Sequence, residues 1–214
     1  MYGFWRSAAS FRVRIALNVK GLAYEEEMID LDGQEQNSPA YIAKNAQASV
    51  PMLFFDDAPP MTQSLAILEY LEERHPEPAL LPHDAQGRAR VRSIALMFAA
   101  DHHPLIVPRV RRYLTETLNV SEEARTQWIR HWFREGLAQA ETRLGSEPGA
   151  GRFCHGDLPT IADLCLVSQV AGAKGFQVDM TDLPIVSRIT AACLEIDAFA
   201  RAHPLNQPGA PSSH

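Results

Sequence analysis

The sequence predicts an α/β unit followed by an all-α unit, and three observations carry that prediction. Up to about Leu81, short strand-like runs alternate with helical ones in the order βαβ and then ββα. The segment EPALLPHDAQG is proline-rich and polar and interrupts that rhythm. Beyond Asp84, apolar residues recur at helical spacing. A chain of 214 residues is long enough for two small cores, so we expect domains at 1–81 and 85–214.

Taken in order, YGFW reads as a strand, Ser10 to Lys20 as a helix closed by Gly21, and YEEEMID as a second strand. PMLFFDD and PMTQ form a hairpin across Asp57 to Pro59, and the i, i+3, i+4 spacing of LAILEYLEE makes a helix of Ser64 to His75. In the second half, the helix from Ala85 to Leu118 bends or breaks at Pro104 and Pro108. A further helix covers Ser121 to Leu144, with Trp128 and Trp132 one turn apart, and two more helices follow. PTIADL is a helix start, with Thr160 and Asp163 spaced for a capping box. The tail NQPGAPSSH is expected to fray. The helix from Ser10 spreads Phe11, Val13, Ile15, Ala16, Leu17 and Val19 around most of its circumference, leaving Arg14 and Asn18 as a narrow wet side. Such a helix must be covered twice, by a sheet and by the helical half. That puts the turn preceding it at a domain junction, where ligand clefts commonly lie.

Composition excludes several classes. The net charge is −6 with arginines scattered among acids, which argues against nucleic acid as a partner. No run reaches the roughly 20 apolar residues of a membrane span, and MYGFWRS lacks the layout of a secretory signal, so the expectation is a cytoplasmic protein with no membrane partner. Cys154, Cys165 and Cys193 have no C-x-x-C spacing and read as small buried hydrophobes. His102 and His103 are adjacent and no H-E-x-x-H accompanies them, so no metal site is expected.

Chemistry concentrates in WRSAASFRVRIAL. The first amides of a helix lack partners and carry the positive end of its dipole, so small residues there let an anion approach the backbone. Ser7 adds a hydroxyl donor. A donor beside a helix N-terminus favours a thiolate, and with no cysteine nearby the thiolate has to arrive on a ligand. The same residues also fit a plain helix cap with tight packing. A second signal is SVP, where a cis Pro51 would turn the Val50 backbone towards a peptide-like ligand. Gln63 and Ser64 offer donors for a carboxylate at the start of another helix. Peptide backbone, carboxylate and thiol together describe glutathione.

With these motifs the chain resembles, along nearly its whole length, the zeta class of glutathione transferases, which contains maleylacetoacetate and maleylpyruvate isomerases. The resemblance rests on WRSAASFRVRIALN, VP with QS, DHHP, GDLPTIADL and FQVDMTDLPIVSRI. It implies a thioredoxin-like N-terminal domain, a helical-bundle C-terminal domain, a homodimer and glutathione as cofactor. Carried over, the activating serine falls on Ser7, the peptide contact on Val50, and the γ-glutamyl carboxylate contacts on Gln63 and Ser64. Arg6 and Arg109 match arginines for an acidic substrate, a role suited to a guanidinium fork; each also fits an ordinary salt bridge. His103 matches a histidine near glutathione, beside a capping or core role before Pro104, and Arg12 reads as a buried ion pair.

The chain departs from the family pattern in three places. Ala8 and Ala9 replace serine and cysteine, Ile106 and Val107 stand where asparagines are frequent, and Gly175, after Lys174, replaces an arginine. The resulting expectation is cis-trans isomerisation of a maleyl diacid. The alternatives are a broader transferase or dehalogenase on small electrophilic acids, and a glutathione-binding protein without turnover.

Overall fold

The computed structural model describes residues 1–55 and 58–211 and divides into two compact units, Met1–Ala79 with the segment that starts at Ile196, and Leu80–Glu195. In the first unit β1 (Tyr2–Gly3), α1 (Ala8–Val19), β2 (Glu27–Met28), α2 (Pro39–Ile42), β3 (Met52–Leu53), β4 (Met61–Thr62) and α3 (Ser64–Arg74) follow one another. The sheet order is β2-β1-β3-β4, with β1 parallel to β2 and antiparallel to β3, and β3 antiparallel to β4. A parallel pair needs a crossover, which α1 supplies; an antiparallel pair needs only a hairpin, here with Met52 opposite Thr62. Asp57, in the expected hairpin turn, lies outside the described residues. The short helix α2 was not anticipated, although its signals are local: Ser38 accepts the Tyr41 amide at 3.2 Å and Pro39 occupies the first turn.

Helix α1 starts at Ala8, two residues before the sequence expectation, because the Ser7 hydroxyl oxygen accepts the Ser10 amide at 3.2 Å. It stops at Gly21, whose φ of +66° lets the Leu22 amide turn back to the Leu17 carbonyl at 2.9 Å. Ala9 through Leu17 are all buried. Arg14, expected on a wet side, is 0 % exposed.

The second cover of α1 within its unit is α9 (Asp197–Ala202), a helix beyond the two expected after residue 144. Phe199 and Ala202 are fully buried, and Asn18 donates to the Ala198 carbonyl at 3.0 Å. The chain from Ile196 therefore groups with the first unit, whereas the sequence reading put all of 85–214 in the helical domain. The apolar circumference of α1 is the physical reason. Of the tail expected to fray, residues 212–214 lie outside the described residues, and the stretch before them is tied down. Gln207 donates to the carbonyls of Arg201 at 2.7 Å and His203 at 3.0 Å, and the Ala210 amide returns to Gln207 at 3.1 Å.

The second unit contains α4 (Ala85–Leu96), a π-helical turn (Met97–His102), a 3-10 turn (His103–Leu105), α5 (Pro108–Glu116), α6 (Glu122–Ser146), α7 (Ile161–Gly175) and α8 (Pro184–Leu194). The predicted interruptions at Pro104 and Pro108 are present, and Trp128 of α6 donates to the Leu105 carbonyl at 2.8 Å across them. Ile161 through Val170 of α7 are all buried, and its start carries the predicted capping box. The Asp163 carboxylate accepts the Thr160 amide and the Thr160 hydroxyl, both at 2.8 Å, and reaches the Cys154 amide at 2.8 Å. Glu141 of α6 caps α8 by accepting the amides of Ile185 and Val186 at 2.9 and 2.8 Å. All three cysteines are free and fully buried, as their surroundings suggested. Among the described residues, no helix is long and apolar enough to cross a membrane.

Candidate active site

The turn between β1 and α1 is built from behind by Arg14. Its guanidinium pairs with Glu26 at 3.0 Å and donates to the carbonyls of Trp5 at 2.9 Å, Ala202 at 3.3 Å and Phe4 at 3.5 Å. The Trp5 amide points at the Met28 sulfur, 3.2 Å away. These contacts fix the backbone that presents Arg6 and Ser7. Burial pulls Arg14 down from its usual pKa and pushes Glu26 up, and their mutual attraction offsets this only in part. Sequence reasoning missed this residue because its partners lie far along the chain.

Ser7 serves as a cap and keeps a second capacity. Its oxygen accepts the Ser10 amide, and a hydroxyl that accepts still has its own proton to donate. The cap reading and the donor reading of the sequence are therefore compatible. Ala8 and Ala9 keep the approach to the helix N-terminus small.

A second group of residues lies in the same unit. The Val50–Pro51 bond is cis, as the SVP motif suggested. The preceding loop is pinned at the Ser49 carbonyl by the Tyr41 hydroxyl at 2.7 Å and the Asn45 amide group at 2.8 Å. Gln63 sits at φ +69°, ψ 110°, a region a non-glycine residue enters only under constraint from its surroundings. Its side chain is exposed, meets Gln47 at 2.9 Å and does not cap α3. Ser64 opens α3, is 7 % exposed, and accepts from Arg12 at 3.3 Å, which again leaves its proton to donate. Arg12, 1 % exposed, thus ties α1 to the start of α3. A hydroxyl donor, a cis-proline loop and a helix start without a side-chain cap suit the thiol, the backbone and a carboxylate of a small peptide such as glutathione.

The cations have different settings. Arg6 is exposed, forms an ion pair with Asp32, and lies 5.5 Å from the Phe4 ring centre and 5.7 Å from that of Trp5. Arg109 belongs to the second unit, in α5, and is exposed. His103 opens the 3-10 turn and is half-buried; it is His102 that is locked in the core, with Nδ1 2.7 Å from the Met97 carbonyl oxygen. Lys174 and Gly175 end α7 and are exposed, and a Cβ built on Gly175 meets nothing within 4 Å. Two cations converge on the next residue, since Arg130 donates to the Phe176 carbonyl at 2.8 Å and the Arg111 guanidinium lies 5.7 Å from the Phe176 ring centre. Arg111 and Arg130 carried no signal in the sequence beyond their charge. Burial pushes the Cys154 and Cys193 thiols up, so neither supplies a thiolate near neutral pH.

Residues 1–79 match the family model described as Glutathione S-transferase, N-terminal domain. A maleylpyruvate isomerase of Ralstonia sp is 45% identical over 208 residues, 97% of this chain and 98% of that one. The crystal structure of a maleylacetoacetate isomerase from Methylobacterium extorquens AM1, with bound malonate and glutathione, superposes with a TM-score of 0.98 at 53% identity, covering 99% of each chain. Another, from Anaeromyxobacter dehalogenans 2CP-1, holds dicarboxyethyl glutathione and citrate in its active site; its TM-score is 0.87 at 44% identity, over 99% of this chain and 96% of that one. With the βαβ-ββα unit, the helical unit and the small-residue turn at Ser7, these similarities establish that the chain belongs to the glutathione S-transferase family, within its zeta class of maleylacetoacetate and maleylpyruvate isomerases.

Proposed function

We propose that this protein converts a maleyl-type diacid, maleylacetoacetate or maleylpyruvate, from the cis to the trans form with glutathione as cofactor. The observation that carries the reading is Ser7, which caps α1 through its oxygen and keeps a proton to donate beside the helix amides. When bound, glutathione supplies a thiolate that adds to the cis double bond and leaves after rotation. Ser7 donates to the sulfur and, with the positive end of α1, favours its ionised form. Val50 pairs with the peptide backbone, Gln63 and Ser64 hold the γ-glutamyl carboxylate, and His103 contributes to glutathione binding. Arg6 and Arg109 anchor the acidic ends of the substrate, and that orientation is where an enzyme of this kind gains much of its rate. The bound malonate, citrate and dicarboxyethyl glutathione of the two relatives support a site for small carboxylic acids beside the tripeptide.

The proposal includes a cytoplasmic location and a homodimer, and sedimentation equilibrium measures the second. One observation favours a second reading. The open position at Gly175 suits a broader transferase or dehalogenase acting on small electrophilic acids. Maleylacetone offered with and without glutathione distinguishes the readings. Glutathione-dependent loss of the cis compound supports isomerisation. Turnover of haloacids alone supports the second reading, and retention on a glutathione matrix without turnover of any compound contradicts both.

A further inference from the structure

Two of the arginine–carboxylate pairs in the first unit involve the active-site turn and are of opposite character. Arg14 and Glu26 are buried, with side chains 0 % and 10 % exposed, and hold the fold of the turn. Arg6 and Asp32 are open, at 45 % and 57 %. An exposed pair is weak and a solute can reach both partners, so it exchanges readily. We propose that Asp32 is an internal competitor for the substrate carboxylate, occupying Arg6 until an acid displaces it and so setting how tightly acids bind. The inference rests on the reading that Arg6 anchors the acidic substrate.

Both partners are held in place for this role. The Asp32 amide donates to the Asp30 carboxylate at 3.0 Å, the Asp30 amide to the Glu35 carboxylate at 2.8 Å, and the Glu35 amide to the Asp30 carbonyl at 3.0 Å. The acidic loop is thus a closed turn that presents Asp32 from a fixed backbone. On the other side, the Arg6 guanidinium lies over Phe4 and Trp5, whose carbonyls Arg14 holds. An incoming carboxylate exchanges with Asp32 one for one, so a monoanion gains little at this cation. A diacid makes the same exchange and has a second carboxylate with which to hold on. Asp32 therefore raises the threshold that any acid must pass, and only ligands with a further anchor pass it at low concentration.

Calorimetric titration of malonate into the glutathione-loaded protein tests this directly. Asp32→Asn keeps the shape of the loop and removes the charge, and it should lower the malonate Kd by about two- to five-fold, in keeping with the modest strength of an exposed pair. Arg6→Gln should weaken malonate, and in that background Asp32→Asn should have no further effect. If Arg6→Gln weakens malonate while Asp32→Asn leaves the Kd unchanged or raises it, Asp32 is not a competitor and the inference falls, while the role of Arg6 stands. If Arg6→Gln leaves malonate binding unchanged, the anchoring role of Arg6 falls and the inference goes with it.

Discussion

Replacing Arg14 with methionine removes the cation that holds the active-site turn, and the structure sets the scale of the effect. The variant strands Glu26, whose side chain is only 10 % exposed, and takes donors away from the Trp5 and Ala202 carbonyls. Breaking a buried pair from one side typically costs about 3–5 kcal/mol, because the remaining charge keeps its desolvation without its partner. That is a large part of the roughly 5–15 kcal/mol that stabilises a typical domain. Adding Glu26→Gln to the same protein removes the stranded charge and should restore at least about 1–2 kcal/mol, leaving the lost carbonyl contacts as the residue of the damage. Urea unfolding of the wild type, both single variants and the double variant yields the coupling. Since Trp5 and Phe4 precede Arg6 and Ser7, Arg14→Met should also lower kcat/KM under conditions where the protein remains folded. A cost below about 1 kcal/mol, or a double variant no more stable than Arg14→Met, would refute the reasoning.

Two further predictions concern the helical unit. Gly175→Arg should be tolerated, because the new Cβ meets nothing within 4 Å and a cation suits the last turn of α7. Steady-state kinetics should show a lower KM for the diacid, and an unchanged KM would mean that position 175 takes no part in binding it. The buried thiols give a pH effect with a definite sign. Cys154 and Cys193 are raised by burial, so above about pH 8.5 the unfolded chain loses thiol protons that the folded chain keeps. Stability therefore falls as pH rises past that point, by up to about 1.4 kcal/mol per pH unit for each thiol. Ellman's reagent should find no reactive thiol in the native protein and three after unfolding; a thiol titrating in the native state would contradict this account.

What the sequence disclosed was chiefly what neighbouring residues decide. The stop at Gly21, the breaks at Pro104 and Pro108, the Thr160–Asp163 start of α7 and the Ser7 cap all depend on residues within a few positions of each other. Arg14 was misread because its partners Glu26 and Ala202 lie 12 and 188 residues away, and an arginine facing a distant carboxylate looks like a solvated one. The covering of α1 by α9 was hidden for the same reason: helical periodicity shows that a face is apolar and says nothing of what packs on it. In the site, Ser7, Gln63 and Ser64 announced themselves through helix starts. The bond from Arg12 to Ser64, across 52 residues, and the pairing of Arg6 with Asp32 carry no local signature.

The central claim is that the Ser7 hydroxyl, with the amides at the start of α1, stabilises the sulfur anion of bound glutathione. Ultraviolet absorbance of the thiolate, followed against pH in the glutathione complex of the wild type, Ser7→Ala and Ser7→Thr, measures it without turnover. The account predicts a bound thiol well below its usual value of about 8.5 in the wild type. It predicts a similar value in Ser7→Thr and a rise of roughly one to two pH units in Ser7→Ala, the equivalent of one hydrogen bond to a charged group. Superimposable titrations of the wild type and Ser7→Ala would contradict it.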